Sequence, residues 1–284
     1  MRPDRTAELA LLLEVAGTPK PGNVDRNRDL KDLRFEHFLA GAVGARGGLE
    51  MAADGAPVGP SFQRAVEGMA EQEGGNTQFG ALLLLVPLVR TARVGDDLTR
   101  SATEAVVEST TVADAAAFYR AFDHVDVFVG DPPADMEPLD VRRGSDAIPA
   151  LEARELTLYD VMDRSVPGDD VAREWVRGFE RSFAAADRLA AAEGPILERA
   201  ASVFLSLLAE RPDTLVAARH GEDVAVEVTD RAATLHERDV LADDRPAVEA
   251  FADELVDRGI NPGTTADLTA AGLFIALEHE TVEV

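Results

Sequence analysis

The chain of 284 residues contains no cysteine. That excludes a disulfide framework, a thiolate metal site and a cysteine nucleophile. Lysine is nearly absent as well: Lys20 and Lys31 are the only two, and arginine supplies the other basic charges. Local signatures of nucleotide or metal chemistry are missing, with no GxGxxG, no GxxxxGK(S/T), no HExxH and no zinc-ligand spacing. Nothing is long enough to cross a bilayer, because the main apolar run, inside residues 74–92, predicts a helix of about 16 residues with polar ends. The N-terminus MRPDRTAELALLLEV is amphipathic with acidic residues inside it, unlike a secretory signal, so a cytoplasmic protein is expected. There is no internal repeat, no low-complexity linker and no βαβ rhythm.

What the chain has in excess is acid. Asp and Glu number 53 against 28 Lys and Arg, a formal net charge of -25. Self-repulsion of this size destabilises a compact state at low salt, and molar salt, with a Debye length of about 3 Å, removes most of the penalty. The composition therefore points to a salty cytoplasm and argues against nucleic-acid or anionic-membrane partners. An acidic protein that binds a polyphosphate must confine its cations to one place. The densest basic patch is the loop TPKPGNVDRNRDLKD, residues 18–32, which holds Lys20, Arg26, Arg28 and Lys31 between prolines that stiffen it.

An apolar fraction of 46% supports a substantial core. Helical spacing covers most of the chain. Helices are expected over 5–16, 35–53, 61–73, from about 77 to 92, 97–109, 113–128 with Thr111 as cap, 156–164, from Asp169 or Asp170 to Glu193, 196–210, from Asp223 to His236, 246–258, and from about 264 to 278. VAVEV at 224–228 also fits a short strand, and the helical reading is preferred. Residues 130–143, acidic and proline-rich, read as a lid or surface excursion. The expected fold is all-α, a compact multi-helix bundle forming a single domain over 1–284. At its centre lies GGNTQFGALLLLVPLVRTA, residues 74–92, apolar around nearly its whole circumference. Asn76 or Thr77 can cap it, and the free N–H groups at its start, beside two glycines, can hold an anion.

Four polar corners next to buried helices are candidates for chemistry. In the first loop Lys20, Arg26 and Arg28 can grip phosphates, and Asp25 and Asp32 can hold Mg²⁺ beside them. Asn76-Thr77-Gln78 is the second corner, Asp213-Thr214 the third, and Asn261 to Asp267 the fourth. Each has a plainer reading, as a solvated loop or an ordinary helix cap. The five histidines, 37, 124, 220, 236 and 279, are scattered and read as packing or hydrogen-bonding residues.

At these same corners the chain resembles the triphosphoribosyl-dephospho-coenzyme A synthase family. The matching stretches are TPKPGNVDR at 18–26, GGNTQFGALLLL at 74–85, PDTL at 212–215 and NPGTTADL at 261–268, in family order. GNVDRNRDLKDLRFEHFL and NPGTTADLTAAGLF are closer to the divergent archaeal, haloarchaeal-like branch. The resemblance implies an all-helical enzyme that uses ATP and Mg²⁺. It implies transfer of the 5-triphosphoribosyl unit of ATP to the 2'-hydroxyl of 3'-dephospho-CoA, with release of adenine. Carried over, Lys20, Arg26, Asn76 and Thr77 would hold the nucleotide, Asp25 and Asp32 the metal, and Asp213 or Asp267 would act as base or further metal carboxylate. Departures are Leu30 where the best-known synthases have histidine, Gln78 and Phe79 in place of His-Lys, and Leu215 in place of asparagine. These leave a related nucleotide transferase or hydrolase with another acceptor, or a non-catalytic nucleotide-binding protein, as alternatives. The expected partners are a nucleotide and dephospho-CoA, with a homodimer as the assembly considered.

Overall fold

The computed structural model describes residues 1–93, 97–130, 132, 134–166, 168–237 and 245–284. Among them the regular structure is helical, and the only β-type pairing is an isolated bridge between Asp25 and Arg28. The α-helices run α1 Pro3–Ala16, α2 Phe35–Ala53, α3 Val58–Met69, α4 Phe79–Thr91, α5 Arg100–Glu108, α6 Val112–Ala121, α7 Ile148–Ala153 and α8 Leu158–Ser165. They continue with α9 Asp170–Val176, α10 Glu180–Ala191, α11 Ile196–Glu210, α12 Thr214–His220, α13 Glu222–Glu237, α14 Arg245–Asp257 and α15 Gly263–Glu278. No helix among the described residues is long and apolar enough to cross a membrane.

Helix α4 is the axis of the bundle, as its composition requires. Leu82, Leu84, Leu85, Val86, Leu88 and Val89 are all fully buried. It packs against α1, α2, α3, α5, α9 and α15. Pro87 sits inside it and cannot donate to the carbonyl four residues back, that of Leu83. The Trp175 indole N–H of α9 supplies the missing donor at 3.1 Å. Helix α15, nearly as apolar, lies alongside, buried over most of its length. Close helix approach comes from glycine: a Cβ on Gly44 would lie 2.1 Å from the Gly68 carbonyl oxygen, so α2 and α3 touch backbone to backbone there. A second apolar cluster joins α11 to α14 through Phe204, Leu208, Val228 and Phe251.

Several expected boundaries move. The helix expected over 61–73 runs Val58–Met69, and the one expected to 128 ends at Ala121. The helix expected from 97 starts at Arg100, with the Thr99 hydroxyl accepting from Ala102 N. The long helix expected from 169 or 170 to 193 is broken in two. Gly178 and Phe179 both take left-handed backbone angles, φ +64° and +56°. The buried Glu174 carboxylate then accepts from Arg181 N, Ser182 N and the Ser182 hydroxyl, at 2.7–3.1 Å, and so starts α10 afresh. The described part of 130–143 is not a free excursion. It forms 3-10 turns over 134–139 and from 141, and Tyr119 Oη donates to the Leu139 carbonyl at 2.6 Å. Residues 131 and 133 of that segment lie outside the described residues.

Candidate active site

The NPGTTADL corner, which opens α15, is where the polar loops meet. From the first loop, Asn23 Nδ2 donates to Asn261 Oδ1 at 2.9 Å. Gly22 makes this approach possible: its φ is +72°, and a Cβ there would lie 2.2 Å from the Ile260 carbonyl oxygen. From the third corner, Asp213 Oδ2 accepts from both the backbone N–H and the hydroxyl of Thr265, each at 2.8 Å. The Thr214 and Thr264 hydroxyls lie 3.1 Å apart. Just past the second corner, Gly80 in the first turn of α4 faces Asp267 so closely that a Cβ would stand 2.1 Å from Asp267 Oδ2.

Asp267 is the electrostatic focus. Its residue remains partly open to solvent, while its carboxyl is ringed by protein. Burial pushes its pKa well above the usual carboxylate range, the carboxylates of Glu14, Asp213 and Asp169 push the same way, and the Ala81 N–H pulls back. Asp213 is raised by burial despite its donors. Its Oδ1 caps α12, accepting from Leu215 N at 2.9 Å and Val216 N at 3.1 Å. With both oxygens engaged, Asp213 ties the start of α12 to the start of α15. Asp169 caps α9 through Val171 N at 2.8 Å and Ala172 N at 3.3 Å, and burial raises its pKa too.

The first loop is built inward. Lys20 is fully buried, its ammonium paired to Glu14 and donating to Asn23 Oδ1 at 3.0 Å, with the Phe204 ring 5.8 Å away. Burial raises the pKa of Glu14 more than Lys20 lowers it. Asp25, also fully buried, accepts from the Thr18 hydroxyl at 2.8 Å, Lys20 N at 3.1 Å, Asn27 N at 2.8 Å and Arg28 at 3.3 Å. It holds the loop in shape. Arg26 and Asp32 are exposed and have no hydrogen bond or ion pair among the described residues. Asp25 and Asp32 are thus not brought together, and no group of three or more His, Asp or Glu among the described residues is arranged around a metal position. At the mouth of α4, Asn76 Oδ1 accepts from Phe79 N at 3.1 Å, while the cap position itself is Gln78. The side-chain oxygen of Thr77 is buried. An open surface depression of about 560 Å³, lined by Leu39, Val43 and Gln72 among others, lies apart from the acid cluster.

Comparison with known proteins now decides the class. The model of the CitG family, ATP:dephospho-CoA triphosphoribosyl transferase, matches residues 1–283. The chain belongs to this family. Its reaction class is therefore that of the triphosphoribosyl transferases, and the chain is an enzyme. A crystal structure assigned as a triphosphoribosyl-dephospho-CoA synthase from Archaeoglobus fulgidus is similar, at 27% identity and a TM-score of 0.67, covering 84% of this chain and 97% of that one. No curated protein matches the chain at a significant level.

Within the family framework, sequence reasoning missed Glu14 and Asp169 as members of the acid cluster. Glu14 sits on the amphipathic α1, where an acid reads as a solvated face. The signal that could have found it is Lys20 six residues on, one of two lysines in the chain and in need of a buried partner.

Proposed function

We propose that the chain transfers the 5-triphosphoribosyl group of ATP to the 2'-hydroxyl of 3'-dephospho-CoA, and that the reacting atoms lie over Asp267. In this reaction the bond from the ribose anomeric carbon to adenine breaks, a bond from that carbon to the acceptor oxygen forms, and the proton of the acceptor hydroxyl is passed on to the departing adenine. The observation that carries the assignment is the Asp267 carboxyl set against Gly80 at the junction of α4 and α15, its pKa raised by burial and by neighbouring carboxylates. A base with a pKa nearer neutrality takes up a hydroxyl proton more effectively, and an ionised carboxyl also offsets positive charge developing at the anomeric carbon. Asp213 positions Asp267 by fixing the first turn of α15. Lys20 neutralises Glu14 and holds the first loop, so contact with the triphosphate falls to the exposed Arg26 and the half-buried Arg28. Asn76 and Thr77 border the nucleotide at the mouth of α4. Among the described residues no carboxylate cage for Mg²⁺ forms. Any Mg²⁺ the reaction needs would come bound to the triphosphate, and Asp25, engaged by Thr18 and Lys20 N, supports the loop.

The same reading takes residues 1–284 as one domain of a halophilic archaeal branch, working in the cytoplasm, with the charge of -25 in support. Gln78 and Phe79, which depart from the His-Lys of the best-known synthases, favour a different acceptor as the second reading. Adenine release from ATP, measured with dephospho-CoA and with other hydroxyl acceptors, separates the two. Asp267→Asn is expected to lose at least ~100-fold in turnover. Wild-type turnover should fall as pH drops, because the base protonates, with a midpoint above the ordinary aspartate value of about 3.9. Near-normal turnover in D267N would sink the assignment.

A further inference from the structure

Six buried side-chain polar atoms lack a hydrogen-bond partner among the described residues, and three of them belong to one dipeptide: Thr77 Oγ1 and both amide atoms of Gln78. Gln78 is 3% exposed. Buried polar groups in folded proteins are nearly always paired, and a carboxamide with neither its donors nor its acceptor satisfied is a standing penalty on the free chain. Such penalties persist where the surrounding structure enforces them, and they gather at functional sites.

Here the enforcement is visible. The backbone on both sides is pinned: Gln78 N donates to Met69 Sδ at 3.3 Å, and Phe79 N to Asn76 Oδ1 at 3.1 Å. Gln72 clamps the preceding glycines, its Nε2 donating to the Gly75 carbonyl and its Oε1 accepting from Gly74 N, both at 2.6 Å. The side chains themselves rest over Gly41 of α2, where a Cβ would lie 2.5 Å from Thr77 Oγ1 and 3.0 Å from Gln78 Oε1. The absent side chain at Gly41 is what makes room for the pair.

The chemistry of the pair narrows its ligand. Neither residue carries charge, so the pair offers hydrogen bonds without neutralising a phosphate or a cation. A carboxamide offers a donor and an acceptor side by side, and the adenine edge offers the complementary N–H and ring nitrogen. We propose that Thr77 and Gln78 recognise the adenine base of a bound nucleotide, Gln78 through paired donor and acceptor contacts and Thr77 through its hydroxyl. This rests on the proposed function, in which a nucleotide lies at the mouth of α4; ATP and dephospho-CoA both carry adenine. The amide is enclosed in the ligand-free chain, so binding opens the loop over 74–78.

The test uses the full chain, with Gln78→Leu, which keeps the approximate shape and removes the amide, and Thr77→Val as a second variant. Calorimetric titration with ATP, with dephospho-CoA and with inorganic tripolyphosphate, beside melting curves without ligand, gives the readout. Q78L is expected to melt above wild type, because the unpaired amide is gone. Its affinity for ATP or for dephospho-CoA should fall roughly ten- to hundredfold, as for loss of a paired base contact, while tripolyphosphate binding is unchanged. Thr77→Val should weaken the same nucleotide to a smaller degree, and it carries the test if Q78L fails to fold. Whichever nucleotide is affected identifies the source of the base. Unchanged affinity of both variants for both nucleotides overturns the inference alone, as does an equal loss for tripolyphosphate. A wild-type chain that binds neither nucleotide overturns the proposed function with it.

Discussion

Replacing Gly80 by alanine should separate activity from stability. The added Cβ would stand 2.1 Å from Asp267 Oδ2 and 2.7 Å from its Cγ. Ordinary contact begins at 3.4 Å, so the carboxyl, or the start of α4, must retreat by about 1.3 Å. The helix itself tolerates the change, since alanine in place of glycine favours a helix by up to ~1 kcal/mol. The net effect on stability should stay within about 1 kcal/mol, a shift in Tm of roughly 2–4 °C at most for a chain of this size. Catalysis is less forgiving. A misplacement of about 1 Å in a reacting group can cost ~100-fold in rate. Adenine release from ATP in the presence of dephospho-CoA, together with a melting curve, reads both quantities on one preparation. Turnover within threefold of wild type would refute the link between Gly80 and a working Asp267. Loss of activity accompanied by a collapse in Tm would show Gly80 to be a packing residue only.

Two further outcomes follow from buried and surface charge. Lys20→Met should destabilise the chain by ~3–5 kcal/mol, because Glu14 is left buried without its counter-ion, and Glu14→Gln in the same chain should recover much of that; chemical denaturation of both variants checks this, and a K20M chain as stable as wild type would contradict it. Raising KCl from about 0.1 M to about 1 M shortens the Debye length from about 10 Å to about 3 Å and should raise Tm, given the charge of -25; a flat or falling Tm would remove the argument from self-repulsion.

The existence of most helices was legible because their apolar residues recur at helical spacing, and α4 announced its central place by being apolar all round. The break between α9 and α10 was not. Trp175, Phe179, Phe183 and Leu189 keep an unbroken helical rhythm across it, while the cause is tertiary. Glu174 captures the N–H groups that open α10, and Gly178 admits Glu104, whose Oε1 would lie 2.1 Å from a Cβ. The shared family motifs lead to the expectation that the corners meet; the Asn23–Asn261 and Asp213–Thr265 contacts bring the first and third to NPGTTADL, and Gly80, just past the second, faces Asp267, while Thr77 and Gln78 lie over Gly41. What spacing could not convey is direction. Lys20 and Asp25 turn into the protein and Arg26 and Asp32 turn out, although all four lie within thirteen residues of one loop. Burial also decides which acids matter: the Glu14 carboxylate acts on Asp267 only once α1 and α15 pack together.

The bond from Trp175 to the Leu83 carbonyl has an experimental use. The chain holds one tryptophan, and its indole is 1% exposed and anchored to the central helix beside the proline. Its emission therefore reports a single place, the contact between α4 and α9, three residues along α4 from Gly80. Intrinsic fluorescence, without any attached dye, would register whether a nucleotide at the mouth of α4 strains or relaxes that contact.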